Sequence, residues 1–229
     1  MIINNQYQFI YIHVPKTAGT AVSTYLQQYA GPADIDLGGA VIKHKDHDKH
    51  EIAVSLNQLW NKQWGIEKHS RTAVARAKIG PAIWARSFKF AFVRSPFSRT
   101  YSGFRFAQRN HSLNGALDNM SFADFLRSDI FTTLRILPIQ SQAAFLNPIN
   151  QIDFIGRFEN LNEDLALVSS IIERKRVAVP MIETLNKSAE PDEWRSMTED
   201  DMDIIRSVLS ADFDTLGYSK KDGSILPGV

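Results

Sequence analysis

The 229-residue chain contains no cysteine. This excludes disulfides, thiolate metal sites and a cysteine nucleophile, and it fits the reducing conditions expected of a cytoplasmic protein. Long apolar runs are also missing, so no membrane-spanning helix is expected. The opening "MIINNQYQF" lacks both the basic region and the small-residue cleavage site of an export signal. There is no internal repeat, no low-complexity tract, no long basic run and no basic–aromatic repeat, which disfavours solenoids and nucleic-acid binders. What is present is core-forming material: 44% of the residues are hydrophobic. A single domain over residues 1–229 is expected, with an excursion at 31–68 and a flexible tail at 219–229.

The formal net charge of +1 hides an imbalance. Residues 1–110 carry 15 Lys and Arg against 6 Asp and Glu, for +9, while residues 111–229 carry 11 against 19, for −8. The first half is suited to an anionic ligand.

Hydrophobic periodicity organises the chain. "FIYIHV", residues 9–14, reads as a buried strand, and "GTAVSTYLQQYA" from Gly19 reads as a helix with Ala21, Val22, Tyr25 and Leu26 on one side. A second strand, "FKFAFV" (88–93), alternates Phe88, Phe90 and Phe92 and leads to a helix opened by Pro96. A third pair is "DFIGRF" (153–158) followed by "ENLNEDLALVSSIIERKR". Three strand–helix units predict an α/β chain with a mostly parallel sheet. Ser121 with Asp124, and Thr198 with Asp201, carry the spacing of helix-capping boxes.

Two strand–helix junctions concentrate the chemistry. In "HVPKTAGT" (13–20), a small-residue turn enters a helix whose first N–H groups have no partner inside the helix. Gly19 allows close backbone approach, Thr17 and Thr20 offer hydroxyl donors, and Lys16 adds a mobile positive charge. A nucleotide-kinase loop would place its lysine after the glycines, so a Walker-type site is disfavoured. In "FVRSPFSRTYSGF" (92–104), Arg94 ends the strand and Ser102 lies two helical turns past Ser95. A guanidinium with a hydroxyl suits a phosphate monoester. The blander alternative has Arg94 and Arg99 pairing with acidic groups at the surface.

Together these two segments resemble the cofactor signatures of sulfotransferases that use 3′-phosphoadenosine 5′-phosphosulfate (PAPS), in particular the carbohydrate O-sulfotransferase-like branch with many bacterial members. Further similarity lies in "KHSRTAVARAKIG", "IQSQAAFL", "DFIGRFENLNEDL", "LNKS" and "ADFDTLGYS", in order from about residue 8 to 219. The resemblance implies a P-loop-like three-layer fold with a mostly parallel central sheet. It further implies that Lys16, Thr17, Ala18, Gly19 and Thr20 surround the 5′-phosphosulfate, that Arg94 and Ser102 hold the 3′-phosphate, and that Lys187 helps close over the nucleotide. Lys16 would stabilise charge on the bridging oxygen as sulfuryl leaves. Two positions depart from the common pattern: Ser95 stands before Pro96 where Asn is frequent, and Ala21 follows Thr20 where Ser or Thr is frequent. Neither removes a charged contact.

The implied reaction moves sulfuryl from PAPS to a hydroxyl of a carbohydrate or glycolipid, releasing 3′-phosphoadenosine 5′-phosphate (PAP), with no metal. A general base must take the hydroxyl proton. His69, in the family's "KH" segment, leads, with His44 and His47 in reserve. His13, on a buried strand, is expected to be a hydrogen-bonded core residue that orients the turn. His44, His47, His50, Asp46 and Asp48 in "KHKDHDKH" suggest a metal, but steps of three rotate around a helix and do not converge. Trp60, Trp64 and Trp84 read as packing residues with a secondary possibility of ring stacking. Two other functional readings stay open: a non-catalytic nucleotide- or glycan-binding module of the same fold, and a kinase-like phosphotransferase.

Overall fold

The structure is a computed structural model that describes residues 1–31, 34–36, 65–179 and 193–228. The chain divides into two compact units. The first holds a five-stranded sheet of order β3-β1-β2-β4-β5, formed by β1 (Ile2–Asn4), β2 (Phe9–Ile12), β3 (Ile35–Asp36), β4 (Phe88–Val93) and β5 (Phe154–Arg157). β2 and β4 pair in parallel, with Phe9 opposite Phe88 and Tyr11 opposite Phe90. This is the mixed α/β architecture expected, with β2 and β4 parallel at its centre and β1 and β3 adding an antiparallel edge.

The sheet forms because its strands have a face to bury. Phe9 and Tyr11 of β2 and Phe90 and Phe92 of β4 share one core with Val22 and Leu26 from the Gly19–Leu26 helix. The Leu161–Glu173 helix adds Leu161, Leu165, Val168 and Ile172, spaced to form one stripe. Each such side chain contributes about 1.5–3 kcal/mol on burial. Asn4, buried at the end of β1, donates from Nδ2 to the Tyr29 carbonyl and to Asp34, both at 2.7 Å, and accepts from the Tyr7 N–H at 2.6 Å. Those bonds fix the β1–β2 turn. Lys89 of β4 forms an ion pair with Asp153 (2.8 Å), and the Asp153 N–H donates to the Lys89 carbonyl at 2.8 Å. Together the two contacts tie the start of β5 to its neighbour. Trp84 is buried, as a packing residue would be, whereas Trp60 and Trp64 lie outside the described residues.

The second unit comprises Pro15–Thr17, Val93–Ala144 and the C-terminal region. Its central element is the Pro96–Arg109 helix, with Phe97 against Phe213 (ring centroids 5.0 Å apart) and Phe104 against Phe125 (4.9 Å). Both capping spacings are found at helix starts: the Ser121 hydroxyl accepts from the Asp124 N–H, and Thr198 and Asp201 exchange reciprocal bonds. Asp201 also receives Arg127 at 2.6 Å, joining one helix end to another helix start. Past the Ser210–Leu216 helix, Tyr218 bridges Ile225. Gly223 in that turn has φ +71°, and a Cβ there would lie 2.3 Å from Ser95 Oγ, so this close approach needs glycine.

Candidate active site

Because β2 and β4 are parallel neighbours, the segments leaving their C-terminal ends start from the same sheet edge. Open α/β sheets bind ligands at that edge. β2 ends at Ile12 and runs into His13–Thr20; β4 ends at Val93 and is followed at once by Arg94.

The first of these segments is strained. Lys16 and Ala18 have φ of +67° and +61°, although neither is glycine. Left-handed backbone at such residues is uncommon and costs roughly 1 kcal/mol or more each. Ala18 is the N-cap of the Gly19–Leu26 helix, whose first turn holds no acidic residue. The N–H groups of that turn therefore face an end with partial positive charge. Thr17 is fully buried, and Lys16 and Thr20 are half-buried.

Within the second unit, Pro15–Thr17 is held by the Pro96–Arg109 helix. Arg99 donates from Nε to the Pro15 carbonyl at 2.9 Å, and the Lys16 ammonium lies 4.3 Å from the centroid of the Phe106 ring. Arg94 Nε donates to Ser98 Oγ at 2.9 Å. Ser98 and Ser102 are one turn apart on one helix face, so the Arg94 side chain runs along the face that carries Ser102. Ser98 was not among the residues the sequence singled out.

Arg99 overturns its surface reading: the side chain has no exposed area. Among the described residues its Nη1 and Nη2 find no hydrogen-bond partner. Burial, only partly countered by the nearby Asp212 carboxylate and reinforced by Arg94, lowers its pKa to about 10, so it remains a cation at neutral pH. Two buried guanidinium nitrogens without partners are an energetic liability in the free protein. They are also donors that an anion could use.

In the first unit, His13 lies against Gly19. A Cβ on Gly19 would fall 1.9 Å from His13 Nε2, so glycine is needed here because an imidazole occupies the space of a side chain. His13 is buried as expected, and among the described residues its Nδ1 finds no hydrogen-bond partner. Desolvation, followed by the positive N-terminus, His69 and Lys68, drives its pKa well below 6.5. His13 thus stays neutral in the fold while an unfolded His takes up a proton below pH 6.5. Stability should accordingly fall as pH drops through that value. Urea unfolding at pH 7.5 and 5.5 checks this: the loss should be smaller in His13→Gln, and equal losses in both proteins would contradict it.

His69 packs edge-on to His13, with ring centroids 4.6 Å apart, and its Nδ1 lies 2.9 Å from the His13 carbonyl. A carbonyl only accepts, so Nδ1 is the donor, and in the neutral imidazole the lone pair is then on Nε2. That is the tautomer a general base needs. The reserve histidines His44 and His47, the His50 cluster, and Lys187 lie outside the described residues. Among the described residues no group of His, Asp and Glu could hold a metal, and no helix is long and apolar enough to cross a membrane.

No curated protein and no solved structure matches the chain. A family model described as "Sulfotransferase family" does, over residues 1–219. That span takes in the strained lysine turn after β2, the arginine junction after β4 and every helix that braces them, and on this match the chain belongs to the sulfotransferase family.

Proposed function

We propose that the protein transfers a sulfuryl group from PAPS to a hydroxyl of a carbohydrate or glycolipid acceptor, releasing PAP. The observation that carries the reading is that Arg99 holds the Pro15 carbonyl from the helix that begins two residues after Arg94. A donor with a phosphate at each end needs two cationic sites held at a fixed separation. The residues fit such a donor chemically, since buried guanidinium nitrogens without partners and a helix start without acids both favour a bound anion.

In this reading Arg94 and Ser102 take the 3′-phosphate, the planar guanidinium meeting two oxygens and the hydroxyl a third. Lys16, with the backbone and hydroxyls of Thr17, Ala18, Gly19 and Thr20, takes the 5′-phosphosulfate. His69 Nε2 accepts the acceptor's hydroxyl proton while that oxygen bonds to sulfur and the sulfur–bridging oxygen bond breaks. Lys16 neutralises the charge that accumulates on the departing phosphate, an interaction stronger in the transition state than before it.

Arg99 supports the loop from below and adds fixed positive charge. Arg99→Met keeps the volume and removes a buried, half-satisfied cation. PAP should bind the folded variant about tenfold or more weakly, and its Tm should fall because the Pro15 carbonyl loses its donor and Asp212 its nearby cation. Unchanged PAP affinity in a folded variant would show the guanidinium to be structural only.

The functional reading is tested by incubating the protein with PAPS carrying labelled sulfate and a panel of polysaccharides, glycolipids and small alcohols. Label should move to a hydroxyl-bearing acceptor with equimolar release of PAP. PAP-competent protein that labels no acceptor would favour a binding module instead.

A further inference from the structure

Gln142 hydrogen-bonds both main-chain groups of Arg94. The Arg94 N–H donates to Gln142 Oε1 at 2.9 Å, and Gln142 Nε2 donates to the Arg94 carbonyl at 2.8 Å. A carboxamide is the one uncharged side-chain group, shared by Asn and Gln, that offers a donor and an acceptor side by side in this way. Gln142 is itself fully buried. Its own N–H donates to Asp212 Oδ2 at 2.9 Å, while the Ala143 N–H (2.9 Å) and the Ser141 hydroxyl (2.6 Å) donate to Oδ1. Asp212 is also fully buried, and three donors with Arg99 nearby are what make such a carboxylate tolerable.

We infer that Gln142, anchored by Asp212, is a positioning residue that fixes the peptide groups of Arg94 and thereby aims its guanidinium at the donor's 3′-phosphate. The inference rests on the reading of Arg94 as the 3′-phosphate residue. Arg94 is the first residue beyond β4, where ladder bonding ends and the chain turns into the Pro96–Arg109 helix. The carboxamide extends the ladder by one residue at that point. With N–H and C=O both held, the Cα–Cβ direction of Arg94 is set, and its Nε reaches Ser98 on the helix face that carries Ser102. Charge-assisted, two-pronged phosphate recognition is sensitive to direction, so a small rotation of this peptide should weaken the phosphate contact more than any other part of nucleotide binding.

The experiment compares calorimetric affinities for PAP and for adenosine 5′-phosphate, which lacks the 3′-phosphate, in the full-length protein. The parent should prefer PAP by at least about tenfold, and Arg94→Ala should bring that ratio close to one. Gln142→Met, of similar volume but without the carboxamide, should cut the ratio by about three- to tenfold, leave adenosine 5′-phosphate affinity within about twofold, and add no further loss in the Arg94→Ala background. Asp212→Asn is the second variant, and covers the case in which Gln142→Met does not fold; it should lower the ratio in the same direction. If Arg94→Ala abolishes the preference but the Gln142 and Asp212 variants keep it, or lose both affinities by one common factor, the positioning role is wrong. An unchanged ratio in Arg94→Ala removes the phosphate reading of Arg94 and this inference with it.

Discussion

Lys16→Ala should reduce kcat by about two to three orders of magnitude while PAP affinity falls by about tenfold or less. The reason lies in when the ammonium is needed. In the proposed reaction, the charge on the 5′-phosphosulfate before transfer is spread over several oxygens and shared with backbone donors of the turn, and during transfer it concentrates on one bridging oxygen. The contact between Lys16 and the Phe106 ring, worth about 0.5–1 kcal/mol at a partly exposed site, is small beside the interaction with that developing charge. The positive φ of Lys16 fixes the point from which its side chain reaches. Lys16→Arg should rescue PAP binding better than turnover, since a delocalised fork replaces a compact charge. Initial rates at saturating acceptor, set beside calorimetric PAP titration, check this. Equal losses in kcat and PAP affinity would mean that the lysine serves binding alone.

His69→Asn should lower kcat by about 100-fold or more with little change in KM for the donor or in Tm. The asparagine amide can still donate to the His13 carbonyl, so the packing against His13 survives, whereas the basic Nε2 is gone. Normal turnover in a folded His69→Asn protein would pass the base role to His44 or His47.

The parts of this fold that were legible in sequence are those built from local pattern. β2, β4, β5 and the helices following them announce themselves because buried strands and one-sided helices leave apolar periods of a few residues. Asp201 and Asp124 were readable for the same reason: capping is a three-residue event. β1 was not legible, because three residues, Ile2–Asn4, carry too little pattern, and their pairing is decided by the edge of β2. Arg99 was misjudged because arginine is normally at the surface. Its neighbours at one and two turns, Gly103 and Ala107, are small and buried, and an arginine aligned with such residues was a readable sign of an inward face. Gln142 and Asp212 lie in segments that carry the family resemblance, but nothing local tied them to Arg94; they are 48 and 118 residues from it, and only the folded chain brings their hydrogen bonds together.

The central claim is that the lysine turn and the arginine junction grip one adenosine donor bearing phosphates at both its 3′ and 5′ ends. A thermal melt of the unmodified protein with PAP, set beside ATP at the same concentrations, tests it most directly. At a hundredfold excess over its Kd, PAP should add about 2.7 kcal/mol and raise Tm by roughly 5–10 °C, with ATP giving a small fraction of that shift. Equal shifts with the two nucleotides, or none with PAP, would contradict it.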